Sequence, residues 1–318
     1  MYTIGIDLGG TNLKGGLCDE HGNVIKKQST PTDRDSSPDS IMDSMAEMCS
    51  SLLKSAGKSV KDLEYVGIAV PGTADPERGE LIYCNNLPFL NYPIVKEFKK
   101  RFPNCRVYIE NDANAAALGE ALCGGAKGFR DMVLITLGTG VGGGIIIDGK
   151  VFSGFNHAGA ELGHCVVNIN GRQCTCGRRG CWEAYSSASG LIRSTKEAMA
   201  RHPESVMWEI CGRDLEKVDG QTSFRAADRG DKAAKYVVRT YIKYLSSGII
   251  NTINVLQPEI LCIGGGISNE GENLFAPLIK AVEKEQYSRY CEKKTEIRMA
   301  KLGNDAGIIG ASMLGRQK

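Results

Sequence analysis

One pattern occurs twice in this chain and limits its fold more than any other feature. Tyr2 to Asp7 reads as a strand, Leu8 to Asn12 as a glycine-rich turn, and Leu13 to Cys18 as a second strand. Asp19-Glu20-His21-Gly22-Asn23 then turns the chain into a third strand from Val24. From Met132 the order returns: a strand to Leu137, a glycine-rich turn over Gly138 to Gly144, a strand from Gly144 to Ile147, a turn at Asp148-Gly149-Lys150, and a strand from Val151. Two such halves predict a duplicated α/β fold of two lobes with a cleft between them.

The segments around these halves fit that frame. Ile41, Met45, Met48 and Leu52 recur at helical spacing within Ser40 to Ala56. Tyr65 to Val70 and Arg106 to Ile109 read as buried strands, and the Ala-rich Asn111 to Leu122 as a helix. Helices are expected through most of Ser186 to Leu256, a last strand at Ile260 to Ile263, and a closing helix at Gly307 to Leu314. The expected lobes are residues 1–117, with 305–318 packing back on them, and 118–304. A chain of 318 residues is long enough to bury a core in each.

Composition removes several function classes. A formal net charge of +2 gives no electrostatic grip on nucleic acid or on an anionic membrane. No apolar run is long enough to span a bilayer, and the opening residues read directly as a strand instead of a leader, so the expected setting is the cytoplasm. The 12 cysteines would staple a small secreted domain. In a chain of this length nine of them are expected to be reduced, most as small buried hydrophobes, among them Cys49, Cys123 and Cys262.

Three glycine turns carry the first chemical signal. In Asp7-Leu8-Gly9-Gly10-Thr11-Asn12-Leu13-Lys14 the glycines let backbone N–H groups approach phosphate oxygens, Thr11 adds a hydroxyl and Lys14 a charge. Asp7, at the strand end, can hold Mg²⁺ through water. A glycine-rich hairpin without a ligand fits the same residues. The second turn, Gly138-Thr139-Gly140-Val141-Gly142-Gly143-Gly144, spends more glycine than a hairpin needs, at about 0.5–1 kcal/mol per ordered glycine relative to Ala. Proximity to a polyphosphate explains that better. Neither turn is a Walker A loop or a dinucleotide fingerprint. Gly264-Gly265-Gly266 follows an apolar strand and is expected to cover adenosine, although a tight strand-to-helix turn would look alike.

Asp112, in Glu110-Asn111-Asp112, falls where a strand gives way to a helix. It reads as a helix cap or as a base that orients a hydroxyl and takes its proton during phosphoryl transfer. The local motif does not choose. His164, Cys174, Cys176 and Cys181 have the residue types and spacing of a closed, tetrahedral structural zinc site; a redox thiol cluster is the rival. Such a site would fix the loop carrying Glu161 and Glu183, whose carboxylates suit a polyol, and His164 can serve metal and sugar with its two ring nitrogens. His21, His157 and His202 read as surface or loop histidines.

Taken together, Asp7-x-Gly9-Gly10-Thr11, Glu110-Asn111-Asp112, Leu137 to Gly144, Glu161-x-Gly163-His164 and Cys174-x-Cys176-Gly177-x-x-Gly180-Cys181-x-Glu183 resemble the ROK family (repressors, open reading frames, kinases). The resemblance implies an actin-like ATPase fold of the hexokinase type, with ATP and a hexose in the cleft. It implies Asp112 as base, and Gly72, Asn85 or Asn86, Asn111, Glu161, His164 and Glu183 as sugar contacts. Zinc would lie on His164, Cys174, Cys176 and Cys181. The cofactor contacts expected are Asp7, Gly9, Gly10, Thr11, Asn12, Lys14, Gly138, Thr139, Gly140, Gly142, Gly264, Gly265 and Gly266, with Mg²⁺-ATP bound. The stretch from Gly138 to Glu183 is most similar to bacterial glucokinases, while kinases of N-acetylmannosamine, N-acetylglucosamine, allose and fructose share the motifs. Family repressors carry a helix-turn-helix ahead of the first glycine turn; here that strand starts at Tyr2, so an enzyme is expected, with a non-catalytic sugar sensor as the alternative. Dimers or tetramers are common in the family.

Overall fold

A computed structural model describes residues 1–84 and 86–317. The elements run β1 (Tyr2–Leu8), β2 (Asn12–Cys18), β3 (Val24–Pro31), α1 (Pro38–Ser55), β4 (Leu63–Val70), β5 (Thr73–Asp75), β6 (Glu80–Tyr83), β7 (Leu90–Tyr92), α2 (Ile94–Arg101), β8 (Arg106–Asn111) and α3 (Asp112–Cys123). They continue with β9 (Met132–Leu137), β10 (Val141–Ile147), β11 (Lys150–Val151), α4 (Glu183–Ser186), α5 (Ala188–Arg201), α6 (Met207–Ile210), α7 (Thr222–Asp228) and α8 (Lys232–Leu256). β12 (Ile260–Gly264), α9 (Glu272–Glu285), β13 (Glu296–Met299) and α10 (Ala306–Ser312) complete the chain.

The two halves legible in the sequence become two five-stranded sheets, ordered β3-β2-β1-β4-β8 and β11-β10-β9-β12-β13. Counting strands within each sheet, both orders are 3-2-1-4-5. In the first, β1 pairs antiparallel with β2 and parallel with β4, and β4 pairs parallel with β8. A third sheet, β5-β6-β7, is small. Two compact units form: Met1–Leu134 with Gly144–Ala160 and Ala300–Lys318, and Ile135–Gly143 with Glu161–Met299. The 117/118 boundary expected from the sequence falls inside α3, whose hydrogen-bonded turns stay whole within the first unit.

Close backbone approach explains why glycine stands inside buried strands of the first unit. A Cβ on Gly5 of β1 would lie 1.9 Å from the Ile308 carbonyl oxygen, and one on Gly67 of β4 1.8 Å from that of Ala311. α10 therefore lies directly on the sheet, and Ala69, Ala115 and Ala311 fill the seam between β4, α3 and α10. On α1, Ser37 caps the first turn by accepting from the Ser40 N–H, Pro38 follows at the first turn, and Ile41, Met45, Met48 and Leu52 are buried as their spacing predicts. The β10 strand starts at Val141, earlier than the expected Gly144. Gly144 has a packing reason, since its Cβ would meet the Ala113 carbonyl oxygen at 2.5 Å and the Ala117 Cβ at 2.6 Å on α3.

Candidate active site

In the first unit the β1–β2 turn closes through Gly9 N–H donating to Asn12 O at 3.0 Å. Asp7 stands just before it, largely buried and 3.5 Å from Lys14 Nζ. Burial raises the Asp7 carboxyl above its usual range, and Lys14 opposes that. The Lys14 charge therefore serves Asp7 in this structure. Gly10 stands close to Asn86: a Cβ there would lie 3.2 Å from the Asn86 Cβ. The residues after β3 fold back over the same turn. Thr32 donates from its N–H to Thr11 O at 2.9 Å and from Oγ1 to Gly9 O at 2.8 Å. Arg34 donates from Nε to Gly10 O and from Nη2 to Thr11 Oγ1 at 2.9 Å.

Asn111 caps α3, accepting from the N–H groups of Ala113 and Asn114 at 2.9 and 3.1 Å. Its amide donates to Gly72 O at 2.9 Å, tying the helix start to the turn after β4. Gly72 holds φ +91 with Tyr83 O only 2.1 Å from where a Cβ would stand, so no side chain fits. Asp112 is thus the first residue of α3, not its cap, and its Oδ1 accepts from the Ala113 N–H at 2.8 Å. Its charge reaches Cys84, whose thiol burial already pushes up. Asn85 lies outside the described residues. Behind Asp112, buried Glu110 accepts from the Asn111 N–H at 2.9 Å and from Asn114 Nδ2 at 3.1 Å, and burial raises its carboxyl. His157 has more company than a surface histidine. Its Nε2 is 3.5 Å from Asp75 Oδ1 and its Nδ1 is 3.3 Å from Ser153 Oγ.

In the second unit the Gly138–Gly140 turn meets the loop of cysteines through Glu183. Glu183 Oε2 accepts from the Val141 N–H at 3.0 Å, and a Cβ on Gly140 would lie 2.3 Å from that oxygen. Gly140 thus makes room for a carboxylate. Thr139 is exposed on the turn. The third turn sits beside the second: Gly265, at φ +88, would place a Cβ 2.5 Å from the carbonyl oxygen of Leu137. Gly264 ends β12, and Gly266 opens a short 3-10 turn with clear space beside it.

One nitrogen or sulfur atom each of His164, Cys174, Cys176 and Cys181 lies within 4.8 Å of the others. Cys174 Sγ is 3.7 Å from His164 Nδ1, and Cys176 Sγ 3.6 Å from Cys181 Sγ. A tetrahedron with metal–sulfur bonds of ~2.3 Å has edges of roughly 3.7 Å, so the donor set fits one metal ion. With Nδ1 on that side, His164 Nε2 faces Glu161 Oε2 at 4.0 Å. The loop is anchored by Trp182. Its buried ring lies where a Cβ on Gly248 of α8 would be, 2.1 Å away, and its Nε1 donates to Tyr244 O at 3.0 Å. All 12 cysteines are free thiols.

Arg34 falls in none of the motifs of the sequence, and Glu110 enters them only as the residue before Asn111 and Asp112. The structure places Arg34 through strand register: β3 pairs with β2 so that Pro31 faces Asn12, which carries residues 32–34 back past residues 9–11.

Two sheets of one strand order, each with a glycine turn between its first two strands, define the actin-like ATPase fold. The ROK family profile matches residues 3–318, and the chain belongs to that family. It is 37% identical to the glucokinase of Thermotoga maritima over 100% of this chain and 98% of that one. It is 35% identical to the glucokinase of Halalkalibacterium halodurans over 100% and 96%. A ROK family glucokinase from Streptomyces griseus in complex with glucose and AMPPNP aligns over 100% of both chains, with TM-score 0.84 and 32% identity. Among the described residues, no helix is long and apolar enough to cross a membrane.

Proposed function

We propose that this chain transfers the γ-phosphoryl group of ATP to the 6-hydroxyl of glucose. The supporting observation in the first unit is that Asn86 stands against Gly10 of the β1–β2 turn, while the Asn111 amide ties the start of α3, where Asp112 stands, to the Gly72 turn. Full-length likeness to glucokinases, one of them solved with glucose and AMPPNP, supports the choice of sugar and donor.

In the proposed reaction the sugar O6 forms a bond to the γ-phosphorus as the bond from that phosphorus to the β–γ bridging oxygen breaks. Asp112 orients the hydroxyl and accepts its proton, and ADP leaves with the bridging oxygen. A carboxylate is a weak base, so most of its work is orientation, as expected for a loose phosphoryl transition state. Asn111 and Gly72 present hydrogen-bonding groups to the sugar beside it, with Asn85 or Asn86. Glu161, His164 and Glu183 of the second unit hold further hydroxyls. Gly9–Thr11, Gly138–Gly140 and Gly264–Gly266 hold the nucleotide. Zinc on His164, Cys174, Cys176 and Cys181 would crosslink the loop that carries the sugar ligands, and Mg²⁺ near Asp7 would neutralise phosphate charge. The expected setting is the cytoplasm, and the expected assembly a homodimer or homotetramer.

Asp112→Asn tests the assignment. It is expected to lower turnover by about 100-fold or more while glucose binding changes little. A variant with wild-type turnover removes Asp112 as the base.

A further inference from the structure

We propose that Arg34 is a catalytic residue, its guanidinium binding the phosphoryl group as that group passes from ATP to the acceptor hydroxyl. The inference rests on the reading that Gly9–Thr11 cradles the terminal phosphates.

The placement of Arg34 follows from the register of the first sheet. β3 runs antiparallel to β2 and ends opposite Asn12. The two bonds from Thr32 to Thr11 O and Gly9 O then hold the departing chain against the turn. Two residues on, Arg34 spends its Nε on Gly10 O and one Nη2 hydrogen on Thr11 Oγ1. A guanidinium has five N–H donors in a rigid plane. Three stay unspent here among the described residues, on an exposed side chain whose base is pinned to the turn.

Charge bookkeeping at the turn points the same way. Lys14, the other cation there, is paired with Asp7 at 3.5 Å, so that pair brings no net charge. Arg34 has no carboxylate within ion-pair distance among the described residues, and its guanidinium is held at the turn by Gly10 O and Thr11 Oγ1. Phosphoryl transfer spreads negative charge over three equatorial oxygens, and a planar fork can meet two of them at once. A lysine would offer only a point charge. A Cβ on Gly10 would crowd Asn86 at 3.2 Å and touch Arg34 Nε at 3.9 Å, so glycine leaves the space beside the guanidinium unfilled.

The competing role is a clamp that only shapes the turn. Full-length Arg34→Ala and Arg34→Lys separate the two. Turnover and ATP KM would be measured by ADP release, and ADP and glucose affinities by calorimetry. Arg34→Ala is expected to lose about 100–1,000-fold in kcat, the scale of one donor to developing charge. ADP and glucose affinities should stay within about threefold of wild type on the same grounds. Added guanidinium ion should restore part of the turnover, and Arg34→Lys should recover less than the full rate. Turnover within about threefold of wild type overturns the inference, as does an equal loss of ADP affinity with no rescue. Thr11→Val tells the failures apart. If it leaves ATP KM and turnover untouched, the cradle reading falls and Arg34 with it; if it impairs both while Arg34→Ala is normal, only the Arg34 inference falls.

Discussion

Replacing Glu120 should loosen the first unit without touching the chemistry. Its carboxylate is fully buried on α3 and accepts three backbone N–H bonds: from Gly125 to Oε2 at 2.6 Å, from Lys301 to Oε2 at 3.1 Å and from Leu302 to Oε1 at 2.7 Å. It thereby fastens the chain entering α10 to the helix that begins at Asp112. In Glu120→Gln the amide oxygen keeps the two donors at the Oε2 position, and the NH₂ group then faces the Leu302 N–H. One charge-assisted bond, worth about 1.5–3 kcal/mol, is lost and the other two weaken. Relief of the buried charge offsets part of this, leaving a net cost of about 2 kcal/mol. In Glu120→Ala three donors lose their acceptor, at roughly 1–3 kcal/mol each before water enters, so about 4 kcal/mol is expected. Urea melts give these differences directly, and Tm should fall by ~4–8 °C for the Gln variant. Hydrogen exchange should report faster opening at Gly125, Lys301 and Leu302. Turnover at low temperature should stay within about twofold, because the Glu120 carboxylate bonds the backbone of Gly125, Lys301 and Leu302. A Gln variant within about 0.5 kcal/mol of wild type, with unchanged protection at those three amides, would refute the reasoning.

Other perturbations test the rest of the account. Cys176→Ser, or a strong chelator, should release a metal ion that mass spectrometry identifies as zinc and weaken sugar binding; normal sugar affinity in the metal-free protein separates metal from sugar loop. Glu183→Ala should weaken glucose binding by about 10-fold or more, the loss of a charged hydrogen bond, and unchanged affinity would mean that the carboxylate only holds Val141 and its turn. Gly67→Ala, which sets a methyl 1.8 Å from the Ala311 carbonyl oxygen, should cost about 3 kcal/mol or more in an equilibrium melt, because backbone must move. A melt like that of wild type would show that α10 can shift at little cost.

What the sequence made legible was local. The strand–glycine–strand repeat depends on neighbouring residues, and both halves formed sheets of the same order. The four candidate metal ligands lie within 20 residues of chain, and the structure brings their donor atoms together. What stayed hidden depends on distant partners. Gly144 looked like part of a phosphate turn and is a strand residue giving way to α3; Gly140 admits the Glu183 carboxylate. Glu120 draws its N–H donors from residues 301 and 302, which no local pattern marks. Arg34 needed the β2–β3 register, not the motif, to be found.

The most direct test of the central claim is ADP release from Mg²⁺-ATP by the purified protein with glucose, mannose, fructose, allose, N-acetylglucosamine and N-acetylmannosamine in turn, with the phosphorylated position read by phosphorus NMR. Turnover that is fastest with glucose and yields the 6-phosphate is the predicted result. A folded, metal-bearing protein that turns over none of these sugars, or that phosphorylates glucose elsewhere than O6, would contradict it.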